Sequence, residues 1–253
     1  MQDVIKDLTG VLDLLCVGLG PQSSDIQSSD IQNSDIQNSD IQRPLVIFFD
    51  AVGTVFGVRD GVGVQYAKCA DRVGVTVSAA SLESAFYDSF KAAGPSVFPL
   101  ASADLIPRLE FEWWRSVVFE TFDRVGVMNQ FESFNDFFED LFQYFATAEP
   151  WIVYPETVAV LESLQTLGLS IGMVSNFDSR LHSVLRSLSL DHYFQSVTIS
   201  TEVGSAKPNG KIFTIALSKH SCEAHQAWHV GDSFKDDYTS AIAMGLRGVW
   251  VDR

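Results

Sequence analysis

Asp50, Ser175 and Asp232 each stand directly after an apolar run: Pro44-Leu-Val-Ile-Phe-Phe49, Leu169-Ser-Ile-Gly-Met-Val174 and Ala227-Trp-His-Val-Gly231. Asp236 and Asp237 follow the last of these closely. Carboxylates offer hard oxygens to a divalent cation, and a carboxylate or hydroxyl can act on a phosphoryl group. Such residues at run ends have a topological reading. Continuous apolar strands separated by helical segments imply a parallel sheet covered on both faces, and ligands bind such sheets beyond the carboxyl ends of the strands. The carboxylates and the hydroxyl are therefore expected to gather along one sheet edge.

Fainter strand runs, Val197 to Ser200 and Gly248 to Val251, complete the set. Between the strands, residues three and four apart mark helix faces. One stripe is Val160, Leu161, Leu164 and Leu167, and a second is Leu181, Val184, Leu185 and Leu188. Ile212, Phe213 and Ala216 form a third, and Tyr238, Ala241 and Ile242 a fourth. Pro155 suits a first helical turn, and Gly168 suits a helix end. The expected fold is α/β, a doubly wound parallel sheet of Rossmann type.

One interval, from Asp50 to Pro155, carries no comparable strand signal, and an insertion is expected there. Trp114, Val117, Val118, Thr121, Phe122 and Val125 follow helical spacing, as do Phe134, Phe137, Phe138, Leu141, Phe142 and Phe145. Leu82, Ala85, Phe86 and Phe90 add a shorter stripe. Twelve of the 19 phenylalanines fall between residues 57 and 150, enough apolar bulk for a small helical core of its own. The division expected is 44–56 with 151–253 as one unit and 57–150 as an inserted α-helical cap, with hinges near Gly57 to Gly63 and Pro150 to Pro155.

With 17 basic against 32 acidic residues the net charge is -15, which disfavours nucleic acid and anionic membrane as partners and points to a small-molecule substrate. Cys16, Cys69 and Cys222 are too few and too scattered for a disulfide framework or a metal cluster, so a reducing, cytoplasmic setting is expected. The five histidines show no ligand spacing; His229, inside a strand run, reads as a satisfied core residue.

Residues 1–43 read as a separate leader. Met1 to Gly20 lacks the basic and uninterrupted apolar regions of a signal peptide and is too charged to span a membrane. From Ser23 to Gln42 a pentapeptide repeats four times, as in Ser23-Ser-Asp-Ile-Gln27. One isoleucine per five residues buries too little to offset chain entropy, so disorder is expected and the leader is expected to be dispensable.

These motifs together resemble the haloacid dehalogenase superfamily over residues 44 to 252. Phe49-Asp50-Ala-Val-Gly-Thr-Val-Phe56 is similar to its first motif, Val174-Ser175-Asn176 to the second, Lys207-Pro208 to the third and Gly231-Asp232-Ser-Phe-Lys-Asp-Asp237 to the acidic fourth. Within the superfamily, the Trp113-Trp114-Arg115 run and the Ser-Asn-Phe-Asp178 stretch look most like the rhythmically-expressed-gene-2-like branch of capped hydrolases. The resemblance implies a hydrolase in which Asp50 is the nucleophile. Mg²⁺ would be held by Asp50, the Val52 carbonyl, Asp232 and, through water, Asp237. Ser175 and the amide group of Asn176 would donate to substrate oxygens, and Lys207 would add positive charge. The superfamily spacing selects Asp237 over Asp236.

The departure is Val52. Phosphatases of the superfamily usually carry a second Asp there, which protonates the leaving group, and valine cannot. General acid–base help is typically worth roughly 10² to 10⁴ in rate. The expected activity is therefore a magnesium-dependent phosphatase, weak or narrow in substrate. Its competitors are a 2-haloacid dehalogenase, whose carbon–halogen cleavage needs no such proton, and a catalytically weak protein that binds a phosphorylated ligand. The cap residues Arg59, Arg72 and Arg115 are candidate substrate ligands or solvated surface arginines.

Overall fold

A computed structural model describes residues 3–18 and 43–253. Its strands are β1 (Val4–Ile5), β2 (Val46–Phe49), β3 (Phe56–Val58), β4 (Trp151–Val153), β5 (Ser170–Ser175), β6 (Ser196–Ile199), β7 (Ala227–Gly231) and β8 (Arg247–Val251). Helices precede and follow them: α1 (Thr9–Gly18), α2 (Val62–Arg72), α3 (Ala79–Ala93), α4 (Ile106–Arg124), α5 (Phe134–Tyr144), α6 (Thr157–Thr166), α7 (Leu181–Ser187), α8 (Ser200–Val203), α9 (Lys211–Lys219) and α10 (Ser240–Ala243). Phe234–Thr239 forms a π-helical turn leading into α10.

Six strands form one parallel sheet in the order β1-β8-β7-β2-β5-β6. Strand β2 is buried at every residue because it lies at the centre with helices on both faces. Alternation along it sorts the two cores. Ile47 and Phe49 pack with α1, α6 and α7, while Val46 and Phe48 pack with α9 and α10. From β2 the chain proceeds outward through β5 and β6, then returns to the other side of β2 for β7 and β8. The crevice between β2 and β7 is thus the topological switch point, where parallel sheets bind ligands.

Between β3 and β4 the four helices α2 to α5 surround a separate apolar cluster that includes Tyr66, Leu82, Phe86, Val118, Phe122 and Phe138. Two of these helices start with a serine cap: Ser78 accepts from the Ser81 amide and Ser133 from the Asp136 amide. The segments flanking the insert, where hinges are expected, pair in part as an antiparallel ribbon, with Gly57 opposite Ile152. Three-residue strands lie below what apolar periodicity resolves.

The expectation of a disordered leader does not hold for residues 3–18. Strand β1 pairs with β8, with Val4 opposite Trp250 and Ile5 opposite Val251. Asp3 bonds Arg247 at 2.6 Å, and Asp7 caps α1 by accepting from the Thr9 amide at 2.9 Å. Ile5, Leu8, Val11 and Leu15 join the main core. Leu8, Val11 and Leu15 follow helical spacing into α1, and burying them offsets the ordering entropy that a polar leader cannot offset. The same segment covers the outer edge of β8. The pentapeptide repeats, Ser23 to Gln42, lie outside the described residues. Among the described residues no helix is long and apolar enough to cross a membrane.

Candidate active site

Asp50 leaves the end of β2 with its amide donating to the Val230 carbonyl of β7 at 2.9 Å, which seats it on the switch point. The turn that follows reverses the chain, Gly53 N donating to Phe56 O at 2.8 Å. Gly53 has φ 90°, and a Cβ there would come within 2.3 Å of Asp232 Oδ2, so only glycine lets this turn approach the second carboxylate. Val52 sits in the same turn, half-buried against the main core.

On the other side of the crevice, Asp232 follows β7 and Asp237 projects back from the π-helical turn. Gly231 makes room for it, since a Cβ would meet Asp237 Cγ at 2.1 Å. Carboxylate oxygens of Asp50, Asp232 and Asp237 all lie within 4.8 Å of one another. Asp237 is the buried member of its pair with Asp236, and both of its oxygens are engaged. Oδ1 accepts from Lys207 Nζ and from His229 Nε2, the latter at 2.9 Å, and Oδ2 accepts from the Ser233 amide at 2.9 Å.

Lys207 arrives from the loop after α8, with its ammonium buried between Asp50 and Asp237 and 2.6 Å from Asp50 Oδ1. Burial opposes the charge on this lysine, but the charges of Asp237 and Asp50 hold the ammonium above its ordinary range. Burial likewise opposes the charge on Asp237, yet Lys207 and the His229 bond keep its carboxyl below the usual carboxylate range. For Asp50 burial outweighs the pull of Lys207 and, with the charge on Asp237, pushes the carboxyl up. Asp232 is open to solvent as a residue while its carboxylate faces the Gly53 turn. Burial of that carboxylate, then the charges of Asp50 and Asp237, push it up to about 7.

Ser175 is buried at the end of β5, one strand from Asp50. Asn176 follows it, and its carboxamide donates to Lys207 O at 2.9 Å and accepts from Lys207 N at 2.7 Å, so the side chain fixes the lysine loop. The arginine candidates are held by neighbouring chain: Arg59 donates to Trp151 O at 2.9 Å, Arg72 lies 3.8 Å from Glu149, and Arg115 donates to Asn135 Oδ1.

His229 was legible only as a core residue. It is fully buried, and burial lowers its pKa, leaving a neutral ring whose Nε2 orients Asp237. A polar side chain inside an apolar strand must find a partner, which was the available signal. Outer supports were not foreseen. Arg253 donates to the carbonyls of Gly53 and Thr54 at 3.1 and 2.9 Å, and Trp250 Nε1 donates to Asp232 O at 2.9 Å.

The haloacid dehalogenase-like hydrolase family matches residues 45–245. Haloacid dehalogenase-like hydrolase domain-containing protein 3 of Xenopus laevis is 34% identical over 207 residues, covering 81% of this chain and 83% of that protein. The rhythmically expressed gene 2 protein of Drosophila melanogaster is 27% identical over 217 residues, covering 81% and 82%. Among solved structures, a HAD phosphatase from Thermococcus onnurineus superposes with a TM-score of 0.56 at 22% identity, covering 82% of this chain and 86% of that one. L-2-haloacid dehalogenase from Xanthobacter autotrophicus gives 0.58 at 15% identity, covering 80% and 75%; at such identities these two speak to the fold alone. The chain belongs to the haloacid dehalogenase-like hydrolase family, as a hydrolase on the side of its rhythmically-expressed-gene-2-like branch.

Proposed function

We propose that this haloacid dehalogenase-like hydrolase is a Mg²⁺-dependent phosphatase that acts on a small phosphorylated metabolite through an aspartyl-phosphate intermediate, slowly or over a narrow substrate range. The observation that carries the reading is the clustering of Asp50, Asp232 and Asp237, two of which, Asp50 and Asp237, share the Lys207 ammonium. With all three ionised, as a bound cation would favour, three carboxylates against one ammonium would leave a deficit of two positive charges, all of it on hard oxygens, which suits magnesium. Asp50, Asp232, the Val52 carbonyl and, through water, Asp237 would hold the ion. When bound, Mg²⁺ would offset the negative charge of the nucleophile and of the phosphoryl oxygens.

The chain's own residues supply the rest. Asp50 attacks phosphorus, forming an acyl–phosphate bond as the ester P–O bond breaks and the leaving oxygen departs with its electron pair. Water then cleaves the aspartyl phosphate, returning the Asp50 carboxylate and inorganic phosphate. Lys207 favours the ionised form of Asp50 against its burial and offsets charge that builds on the phosphoryl group. The Ser175 hydroxyl donates to a phosphoryl oxygen, and Asn176 fixes the loop that carries Lys207. With Val52 beside the nucleophile, the leaving group departs without an aspartic acid there to protonate it, so activated aryl and acyl phosphates should react fastest. The insert, residues 57–150, would act as a helical cap that excludes water from the intermediate.

Val52 also favours a second reading, a 2-haloacid dehalogenase, because a halide leaves unprotonated. The acidic trio ranks it below the phosphatase. A protein that binds a phosphorylated ligand without turnover is the third. Phosphate release from p-nitrophenyl and acetyl phosphate, with and without Mg²⁺, set beside halide release from a 2-haloacid, separates the three. Magnesium-dependent phosphate release that vanishes in Asp50→Asn supports the proposal, whereas activity surviving that substitution overturns the nucleophile.

A further inference from the structure

Two buried carboxylates cross between the insert and the sheet layer in opposite directions. Glu110, on α4, is 1% exposed and is held by three neutral donors: the Ser179 amide at 2.9 Å and the hydroxyls of Ser179 and Thr201. In return Asp178, in the turn after β5, accepts from Trp114 Nε1 of α4 at 2.7 Å and pairs with Arg180. Glu110 and Trp114 are one helical turn apart and share a face, while Asp178 and Ser179 are neighbours, so the two contacts form one clasp. Arg180 completes it by donating to Phe142 O of α5 at 3.1 Å.

A carboxylate is an expensive choice for a packing contact between layers, because burial disfavours its charge. The segments it joins give it a further role. Ser179 lies in the exit of β5, directly downstream of Ser175 and Asn176, and Thr201 lies in the exit of β6, upstream of Lys207. These exits are tied to each other as well, Ser200 Oγ donating to Phe177 O at 3.1 Å. Glu110 therefore meets both loops that deliver the phosphate-facing groups, without reaching the reacting atoms itself.

We propose that Glu110 is a positioning residue: by holding α4 against the exits of β5 and β6 it fixes the turn that carries Ser175 and Asn176, and with it the affinity for the phosphoryl group. The affinity limb rests on the phosphatase reading; the ordering limb does not. Hydrogen exchange on the metal-free full chain tests the second. In Glu110→Ala, amides of residues 176–181 and 200–206 should exchange about tenfold faster while α9 is unchanged. In the Mg²⁺-loaded chain, KM for p-nitrophenyl phosphate should rise about tenfold with kcat little changed, the signature of lost uniform binding. Glu110→Gln should restore most of both, since its amide oxygen accepts from the Ser179 and Thr201 donors and its NH₂ can donate to the Ser179 hydroxyl. A folded Glu110→Ala protein with unchanged exchange at 176–181, or with exchange raised equally everywhere, would overturn the proposal. Should that variant not fold, Thr201→Val removes one donor alone, and unchanged exchange there overturns it equally. A wild-type chain that releases no phosphate sinks the phosphatase reading while exchange still judges Glu110.

Discussion

Lys207 Nζ lies 2.6 Å from Asp50 Oδ1 across 157 positions of sequence, with both groups closed off from solvent. The same ammonium bonds Asp237, so it is the shared counter-charge of two carboxylates. Replacing it with an isosteric apolar chain, Lys207→Met, leaves that pair buried without a cation. Removing one partner of a buried ion pair costs about 3–5 kcal/mol. Urea unfolding should report a loss of that order in metal-free protein, and phosphate release should fall by roughly 10² or more.

Magnesium should stabilise the wild-type chain by mass action, about 2.7 kcal/mol at a hundredfold excess over its dissociation constant. For a domain of this size that is a Tm rise of roughly 5 to 11 °C. Asp232→Asn should lose most of this rise. Equal Mg²⁺ shifts in both proteins, read by calorimetry, would place the ion elsewhere.

Val52→Asp returns a group able to protonate a leaving oxygen. Phosphatase turnover on unactivated alkyl phosphates should increase by roughly 10² to 10⁴, with a smaller gain on p-nitrophenyl phosphate, whose leaving group needs little help. An unchanged alkyl rate would show that protonation does not limit the reaction.

Burial, against the bonds from Ser179 and Thr201, pushes the Glu110 carboxyl above its ordinary 4.5. The folded chain then holds that proton more tightly than the unfolded chain does, so this group's contribution to stability is full below 4.5 and declines as pH rises through the folded value. Glu110→Gln does not titrate. The stability difference between wild type and Glu110→Gln, followed by urea melts from pH 4 upward, should move against the wild type. A flat difference would mean that Glu110 ionises as freely in the fold as out of it.

Leu8 is fully buried between the N-terminal segment and the main core. Leu8→Ala should cost about 2–5 kcal/mol, as large-to-small core changes do. Removing residues 1–18 should lower the Tm further and bare the edge of β8, raising light scattering as unpaired strand edges associate. A truncated chain that melts like the intact one would restore the view of this segment as dispensable.

How far the molecule could be read in advance depended on the range of the interactions involved. β2, β5 and β7 were legible because strands covered on both faces are continuous apolar runs, and the stripes of α4 and α5 because helix periodicity is local. Asp50, Ser175 and Asp232 followed from strand ends. β3 and β4 escape because three residues carry no period, and β1 with α1 escapes because a two-residue strand has none either and the stripe of Leu8, Val11 and Leu15 is short and set among acidic residues. The bond of His229 to Asp237, the hold of Asn176 on Lys207 and the seat of Glu110 join residues distant in sequence or on separate elements, and no spacing announces them.

The pairing of β1 with β8 also sets how the protein meets mechanical load. The two strands run parallel, one near each end of the described chain. Tension applied between Asp3 and Arg253 would drag them lengthwise past each other, straining the cross-strand bonds and the Asp3–Arg247 ion pair together instead of one after another. The short N-terminal strand is thereby a shear-loaded fastener, and the sheet edge it closes resists a pull along the strands better than one that peels it sideways.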